Sequence, residues 1–201
     1  YFPIFYIFIQ SFNASSTGNS FTGFTFKWYG EMFKDDTLMH AIRTTISMAV
    51  IATAVSVVVG TLTAIGINSM NKSRRRKMIL LNNIPVLNAD IVTGVFLMLI
   101  FQIVGLILPG VSVFGYTTML ISHIFFCIPY VILSVLPKLN EIDNNLYDAA
   151  LDLGCSPTRA LWKVIVPSIK AGIISGALIA FTMSIDDFVI SYMTGGNGVQ
   201  N

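Results

Sequence analysis

The stretch Thr44 to Asn71, T-T-I-S-M-A-V-I-A-T-A-V-S-V-V-V-G-T-L-T-A-I-G-I-N-S-M-N, contains no charged residue. About 20 apolar residues suffice to cross the hydrocarbon core of a bilayer, so this run reads as a spanning helix with length to spare. The basic run that abuts it, N-K-S-R-R-R-K over Asn71–Lys77, reads as a loop at one membrane face. Composition points the same way. The 201 residues are 54% hydrophobic and only 11% charged, with a mean hydropathy of +0.74. A soluble chain carries about 25% charged residues, and this one lacks the polar surface to enclose a core in water.

Working outward, Met78 to Ala89 is uncharged and holds Pro85 within N-N-I-P-V-L-N, and Asp90 precedes a further apolar run to Leu108. That pattern predicts a span over 78–108 broken or kinked near the proline. Pro109 to Gly115 reads as a turn, 116–136 as the next span, 137–167 as a polar segment, and 168–192 as the last span. On the other side, a span over about 38–70 contains the opening stretch. Residues 1–12 form an apolar run with no basic stretch before it and no small-residue cleavage site, which reads as the tail of a truncated spanning helix; a signal peptide is the competing reading. The whole chain, 1–201, reads as one transmembrane domain, incomplete at both ends.

Nine of the twelve basic residues fall in two segments, Lys72, Arg74, Arg75, Arg76 and Lys77 in one and Lys138, Arg159, Lys163 and Lys170 in or beside the other. The positive-inside rule makes that side cytoplasmic and puts 11–37 and 195–201 outside, with a returning helix expected beyond Asn201. The outer segment mixes turn formers with aromatics, including Trp28 and Tyr29, and reads as an interfacial anchor. Asp36 or Thr37 is expected to cap the helix that follows.

Other chemistry is sparse. A net charge of +2 is too small for nucleic-acid binding through phosphate neutralisation. Cys127 and Cys155 offer no disulfide framework and no metal spacing. Neither His40 nor His123 has a second His or Cys at ligating helical spacing, so both read as packed or hydrogen-bonded rather than as haem or metal ligands. No G-x-x-x-x-G-K-[ST] loop occurs, so this chain does not cradle ATP in the usual way and reads as a non-enzyme with no cofactor of its own.

The polar segment is more informative. Glu141–Pro167 runs E-I-D-N-N-L-Y-D-A-A-L-D-L-G-C-S-P-T-R-A-L-W-K-V-I-V-P. Leu146, Ala149, Ala150 and Leu153 fall on one helical face at i, i+3, i+4 and i+7. Gly154 fits a left-handed C-cap, Ser156 an N-cap and Pro157 a first turn, so G-C-S-P specifies one helix stopping and another starting at once. Pro167 is expected to end the second helix. The predicted product is a helical elbow able to fit a groove on a partner, or else to lie on the membrane surface.

D-A-A-L-D-L-G-C-S-P followed by V-I-V-P closely resembles the EAA loop of bacterial ABC-importer permeases: Glu-Ala-Ala, three residues, Gly, nine residues, Ile, any residue, Leu, Pro. Asp148, Ala149, Ala150, Gly154, Val164, Val166 and Pro167 occupy the motif positions, with Asp148 for Glu, Val164 for Ile and Val166 for Leu. F-T-M-S-I-D-D-F-V-I-S-Y-M-T-G-G-N-G over Phe181–Gly198 and F-T-G-F-T-F-K-W-Y-G-E-M-F near the start are similar to the PotC-type family of spermidine/putrescine permeases. The resemblance extends over essentially all of the chain and implies an all-α membrane protein with the type I ABC-importer helical-bundle fold, multi-pass in a bacterial inner membrane. It also implies partners: a homologous second permease subunit, a cytoplasmic ABC ATPase dimer that holds ATP and magnesium, and an extracytoplasmic polyamine-binding protein. The elbow would dock on the ATPase, with Asp148 meeting a cationic group there.

Three acids support a cationic solute. Asp186 lies sixteen residues beyond Lys170, about 24 Å along a helix, and Asp90 thirteen beyond Lys77, about 20 Å. A carboxylate at a helix centre costs on the order of 2.5–3.5 kcal/mol on insertion scales, so Asp90, Asp186 and Asp187 read as facing a watery pathway, or else as capping a broken helix or sitting at the outer interface. Asp186 and Asp187 differ by about 100° around a continuous helix, so one of them is expected to face the path. The expected function is inward polyamine transport. The rivals are the same fold carrying iron, thiosulfate or a phosphonate, with the acids opposing the anions, and a non-transporting sensor or assembly subunit.

Overall fold

The computed structural model describes residues 1–15, 21–108, 113–143 and 145–196. Residues 1–44 make one compact unit, and the chain from Thr45 onward makes the second. In the first, helix α1 (Phe2–Gln10) is followed by a reversal in which Asn13 pairs antiparallel with Phe24. Phe12 stacks on Phe24 with ring centroids 5.0 Å apart, and Phe26 meets it edge-on at 5.6 Å. Trp28, in α2 (Lys27–Met32), donates its indole N–H to the Asn13 carbonyl at 2.8 Å. The donor of this ring is therefore satisfied inside the fold.

Helix α3 (Asp36–Asn68) is capped one residue earlier than expected. Asp35 Oδ1 accepts from the amides of Thr37 and Leu38 at 2.9 and 3.2 Å. These are the second and third amides of the helix, the ones an N-cap side chain reaches, and neither Asp36 nor Thr37 stands outside the helix to do so.

The second unit is organised on α6 (Tyr116–Glu141), whose buried residues run from Met119 to Leu139. This helix passes through Pro129 and Pro137 instead of ending at Leu136. Each proline forfeits one backbone bond, and packing on several sides of the helix outweighs that loss. Helix α4 (Lys72–Leu87) begins inside the basic run that reads as a loop, since Lys and Arg are good helix formers. Arg75 donates to Asn140 Oδ1, which brings that run to the same end of the unit as Lys138. Pro85 lies within α4, and the break comes after it, at Asn88 and Ala89, both extended with ψ of 148° and 141°. Helix α5 (Asp90–Ile107) starts immediately after. The expected turn at Pro109–Gly115 falls partly, and the expected outer tail 195–201 mostly, outside the described residues.

The elbow comprises α7 (Asn145–Asp152), α8 (Pro157–Ala160), a π-helical turn (Leu161–Ile165) and α9 (Val166–Ser168). Pro167 does not end a helix. It sits in the first turn of α9, where its missing amide is not needed. The axis then bends by 70° into α10 (Lys170–Asp186), and the last span is interrupted at Asp187 before α11 (Phe188–Gly195).

Among the described residues three helices, α3, α5 and α6, are long and apolar enough to cross a membrane, and the pair bent by 70° and ending in α10 adds a fourth if it is one broken span. Ile46, Val50, Val58 and Leu62 of α3 and Leu106 of α5 are exposed. Apolar surface of this extent belongs against lipid or protein rather than water.

Lipid tails give helices no hydrophobic reason to associate, so close packing and interhelical hydrogen bonds must do it. On α10 the buried residues are Gly172, Gly176, Ala180 and Ser184, one small residue every fourth position. Against α6 they meet successive turns in antiparallel register. Gly172 faces Lys138 and Ser134, Gly176 faces Ser134 and Val131, Cys127 lies 3.4 Å from the Ala180 carbonyl, and His123 bonds Ser184. A Cβ on Gly176 would stand 3.2 Å from Val131 Cα and 3.3 Å from Ser134 Cβ. Gly176→Leu is therefore expected to force the helices apart and destabilise the unit by about 1–3 kcal/mol, read as a lowered melting temperature in detergent. An unaltered melt would show that α10 is not held by this stripe.

Candidate functional site: a broken-helix acid cluster and an exposed elbow

The sequence singles out two groups of residues, and the structure treats them differently. The acids come together. Asp187 sits in the interruption between α10 and α11, with φ −80° and ψ 96°, so the 100° separation expected of neighbours on a continuous helix does not apply to it and Asp186. Its Oδ1 accepts from the Ile190 amide at 3.0 Å and caps α11. Its Oδ2 is buried and has no hydrogen-bond partner. Asp90, in the first turn of α5, and Asp186, the last residue of α10, both lie within electrostatic reach of Asp187. Tyr130 on α6 lies within reach of Asp90 and Asp187.

Two breaks therefore meet beside α6. Gly94, one turn into α5, approaches Val189, Ile190 and Met193 of α11 closely. Leu97, Phe126 and Ile190 form the small core beneath, with Tyr130 packed against it. An interrupted helix leaves its last carbonyls without intrahelical donors. The free ends of α4 and α10 add such carbonyls to the three carboxylates, which makes the region rich in acceptors and negative in charge. Half-helix ends of this kind hold cations and polar solutes at membrane depth.

The elbow residues divide between an inner and an outer face. Gly154 has φ +84°, the left-handed region, and the bonds from the Gly154 amide to the Leu151 carbonyl (2.8 Å) and from the Cys155 amide to the Ala150 carbonyl (3.1 Å) make a Schellman stop. Ser156 occupies the N-cap position of α8 without a side-chain bond. The inward face of α7 is not the expected one. Ala150 is buried, with Tyr147 and Leu151 half-buried, whereas Leu146, Ala149 and Leu153 are exposed, Leu153 by 87%. The aromatic ring at Tyr147 buries more area against the core cluster than the smaller Ala149 could, and this turns the helix. Asp148 is exposed beside Ala149, Val164 is half-buried in the π turn, Val166 is half-buried, and Pro167 is exposed. Trp162 adds a further exposed ring. An apolar cavity of about 500 Å³ separates the elbow from the ends of α3 and α6, lined among others by Ile65, Leu139 and Tyr147.

His123 is packed and hydrogen-bonded, as its sequence context predicts, but with partners that the sequence did not name. It is fully buried, with Nδ1 2.9 Å from Ser184 Oγ and Nε2 2.9 Å from Ser191 Oγ. The available signal was the pair of serines three residues before and four residues after Asp187. Among the described residues no group of three His, Cys, Asp or Glu is placed to hold a metal.

The architecture is that of a known transporter subunit. The chain matches a crystal structure of a bacterial ABC transporter involved in the import of the acidic polysaccharide alginate, with a TM-score of 0.77 and 13% sequence identity over 99% of this chain and 73% of that one. At that identity the likeness concerns the fold. In sequence it is 34% identical over 196 residues to the spermidine/putrescine transport system permease protein PotC of Haemophilus influenzae, covering 98% of this chain and 74% of the relative. It is 31% identical over 199 residues to the putrescine transport system permease protein PotI of Escherichia coli, covering 98% and 71%. Residues 70–201 match the model of the binding-protein-dependent transport system inner membrane component family. That match takes in both breaks, the acids and the elbow, and the chain belongs to this family of multi-pass membrane permeases.

Proposed function

We propose that this permease subunit carries spermidine or putrescine inward across a bacterial inner membrane, driven by ATP hydrolysis on separate subunits. The observation that carries the cargo is the carboxylate oxygen Asp187 Oδ2, buried without a donor at a joint that also holds Asp90 and Asp186. A buried acceptor left unpaired is costly, and a passing ammonium supplies both the donor and the opposite charge. The polyamine names borne by the similar permeases support the same class of solute. A flexible chain of methylenes ending in ammonium groups fits a path on which Tyr130 lies within electrostatic reach of Asp90 and Asp187.

Asp148 and Ala149, on the outer face of the elbow, are the residues that touch a cytoplasmic ATPase dimer holding ATP and magnesium. Ala150, Gly154, Val164, Val166 and Pro167 give that elbow its shape. An extracytoplasmic binding protein delivers the solute, and a second, homologous permease subunit completes the walls of the path. Exposed Leu146 and Leu153 stand beside the exposed acids Asp148 and Asp152 of α7, a helix with no basic residue, which favours a protein groove there over a lipid surface, because a lipid-lying helix would present basic residues at its edge.

The test is uptake of radiolabelled spermidine, putrescine and ferric iron by the complete complex in proteoliposomes loaded with ATP. Saturable polyamine uptake that requires internal ATP is expected. Iron uptake without polyamine uptake would assign the acids to another cargo, and the absence of solute-dependent ATP turnover would reduce the chain to an assembly subunit.

A further inference from the structure

The geometry points to His123 as a positioning residue for solute transfer, its imidazole tying Ser184 of α10 and Ser191 of α11 to α6 and so fixing the broken backbone at Asp187. This role rests on the reading of Asp187 as part of the solute path. The hydrogen bonds have one consistent direction. Ser191 Oγ donates to the Asp187 carbonyl at 2.8 Å, and a carbonyl can only accept. The Ser191 hydroxyl proton is committed there, so at 2.9 Å its oxygen accepts from His123 Nε2–H. A neutral imidazole protonated on Nε2 has Nδ1 free to accept, and the Ser184 hydroxyl donates to it at 2.9 Å. The chain of donors thus runs from α10 through the ring on α6 to α11 and ends on the carbonyl of the residue at the break. Every member is satisfied, which suits a ring with no exposed surface.

The break is what gives this bridge work to do. On a continuous helix the backbone ladder would set the angle between α10 and α11. Asp187 interrupts the ladder, and its own carboxylate caps only the second half. Another polar tether between α11 and α6, from Thr118 Oγ1 to the Thr194 carbonyl at 3.0 Å, lies two turns further along. Among the described residues, the imidazole is therefore the side chain that hydrogen-bonds both halves next to the break. Its position also falls on the four-residue register of α10 against α6, where Ser184 is the last small residue of the stripe. A phenyl ring in its place would fill the volume and keep none of the bonds.

The experiment compares His123→Phe, His123→Gln, Ser184→Ala and Ser191→Ala in the complete complex. His123→Phe is expected to raise the apparent KM for spermidine about fivefold, more than it lowers the maximal rate, because two net hydrogen bonds near the path are lost. His123→Gln keeps one donor and one acceptor on a single amide and is expected to recover part of that loss. Adding Ser184→Ala to His123→Phe should cost nothing further, since its partner has gone, and adding Ser191→Ala should cost only the bond to the Asp187 carbonyl. A spin label at Phe188→Cys, which is exposed, in a Cys155→Ser background reports the α11 end of the break without reference to cargo. His123→Phe should give a more mobile spectrum there. An unchanged spectrum and KM, or serine losses that add fully to the phenylalanine, would overturn the role. If His123→Phe fails to assemble, Ser191→Ala must show the same label mobility and KM rise in smaller measure, and wild-type values in it would also overturn the role. If the wild-type complex moves no polyamine, the solute reading fails by itself, and the label still decides whether the tether exists.

Discussion

Changing Asp186 and Asp187 together to Asn is expected to cut spermidine uptake by on the order of a hundredfold, with the complex still assembling. A hydrogen bond to a charged group is worth about 1.5–3 kcal/mol, roughly tenfold or more for each carboxylate that a passing ammonium contacts. Two smaller changes separate charge from architecture. Asp187→Asn keeps an oxygen to accept the Ile190 amide, now 3.0 Å from Oδ1, and replaces the charged Oδ2 acceptor by a neutral NH2 donor. Asp187→Ala removes the cap of α11 as well, for a further cost of about 1 kcal/mol in stability. A transport loss that tracks Asn, with a melting temperature that falls only in Ala, places the effect on the solute. Uptake by the double Asn variant equal to wild type would take these acids out of the path. Asp90→Asn belongs in the same series, because Asp90 acts on Asp187 electrostatically from α5.

Gly154→Val should uncouple the subunit, lowering solute-stimulated ATP turnover by about tenfold while the spans remain inserted. A Cβ at Gly154 meets no atom within 4 Å, so crowding contributes nothing. The whole effect comes from φ +84°, where a residue outside its allowed backbone region costs about 1–3 kcal/mol and a β-branched one lies at the upper end. Relief of that strain undoes the bonds from the Gly154 and Cys155 amides and swings α7 away from α8. Gly154→Asn, which tolerates the left-handed region, is expected to couple nearly normally. Equal ATPase stimulation in the Val variant would show that the corner is not how the motor grips this subunit.

The elbow also shows how far local sequence carries. G-C-S-P announced a stop and a start, and both occur, because left-handed backbone at glycine and the fixed φ of proline are local properties. The face of α7 was misassigned because a period of 3.6 marks which residues share a side and leaves open which of two apolar sides turns inward. Tyr147 decided that by packing against the buried core. Pro137 misled for the opposite reason, whereas the break expected near Pro85 does occur, at Asn88 and Ala89. A proline lowers helix stability by a fixed local amount, and whether the helix yields depends on the packing that surrounds it.

The acids follow the same division. Their presence in apolar sequence was enough to mark them as polar groups in an unfavourable place. Their convergence was not readable, since Asp90 and Asp187 are far apart in the chain and approach only where two interrupted helices pack on α6. Gly172, Gly176, Ala180 and Ser184 stand in the sequence as a plain four-residue stripe, yet their register against Lys138, Ser134, Val131, Cys127 and His123 is a property of the pair.

What the sequence settled unaided is therefore whatever one segment decides with its immediate solvent: the apolar runs, the clustering of basic residues, the corner at Gly154 and the resemblance carried by the elbow. Which side of each helix is buried, where the last span breaks, and which carboxylate oxygen is left without a donor were settled only by tertiary contact. Those outcomes depend on side chains from distant segments competing for the same space and the same hydrogen bonds, and no single segment holds that information.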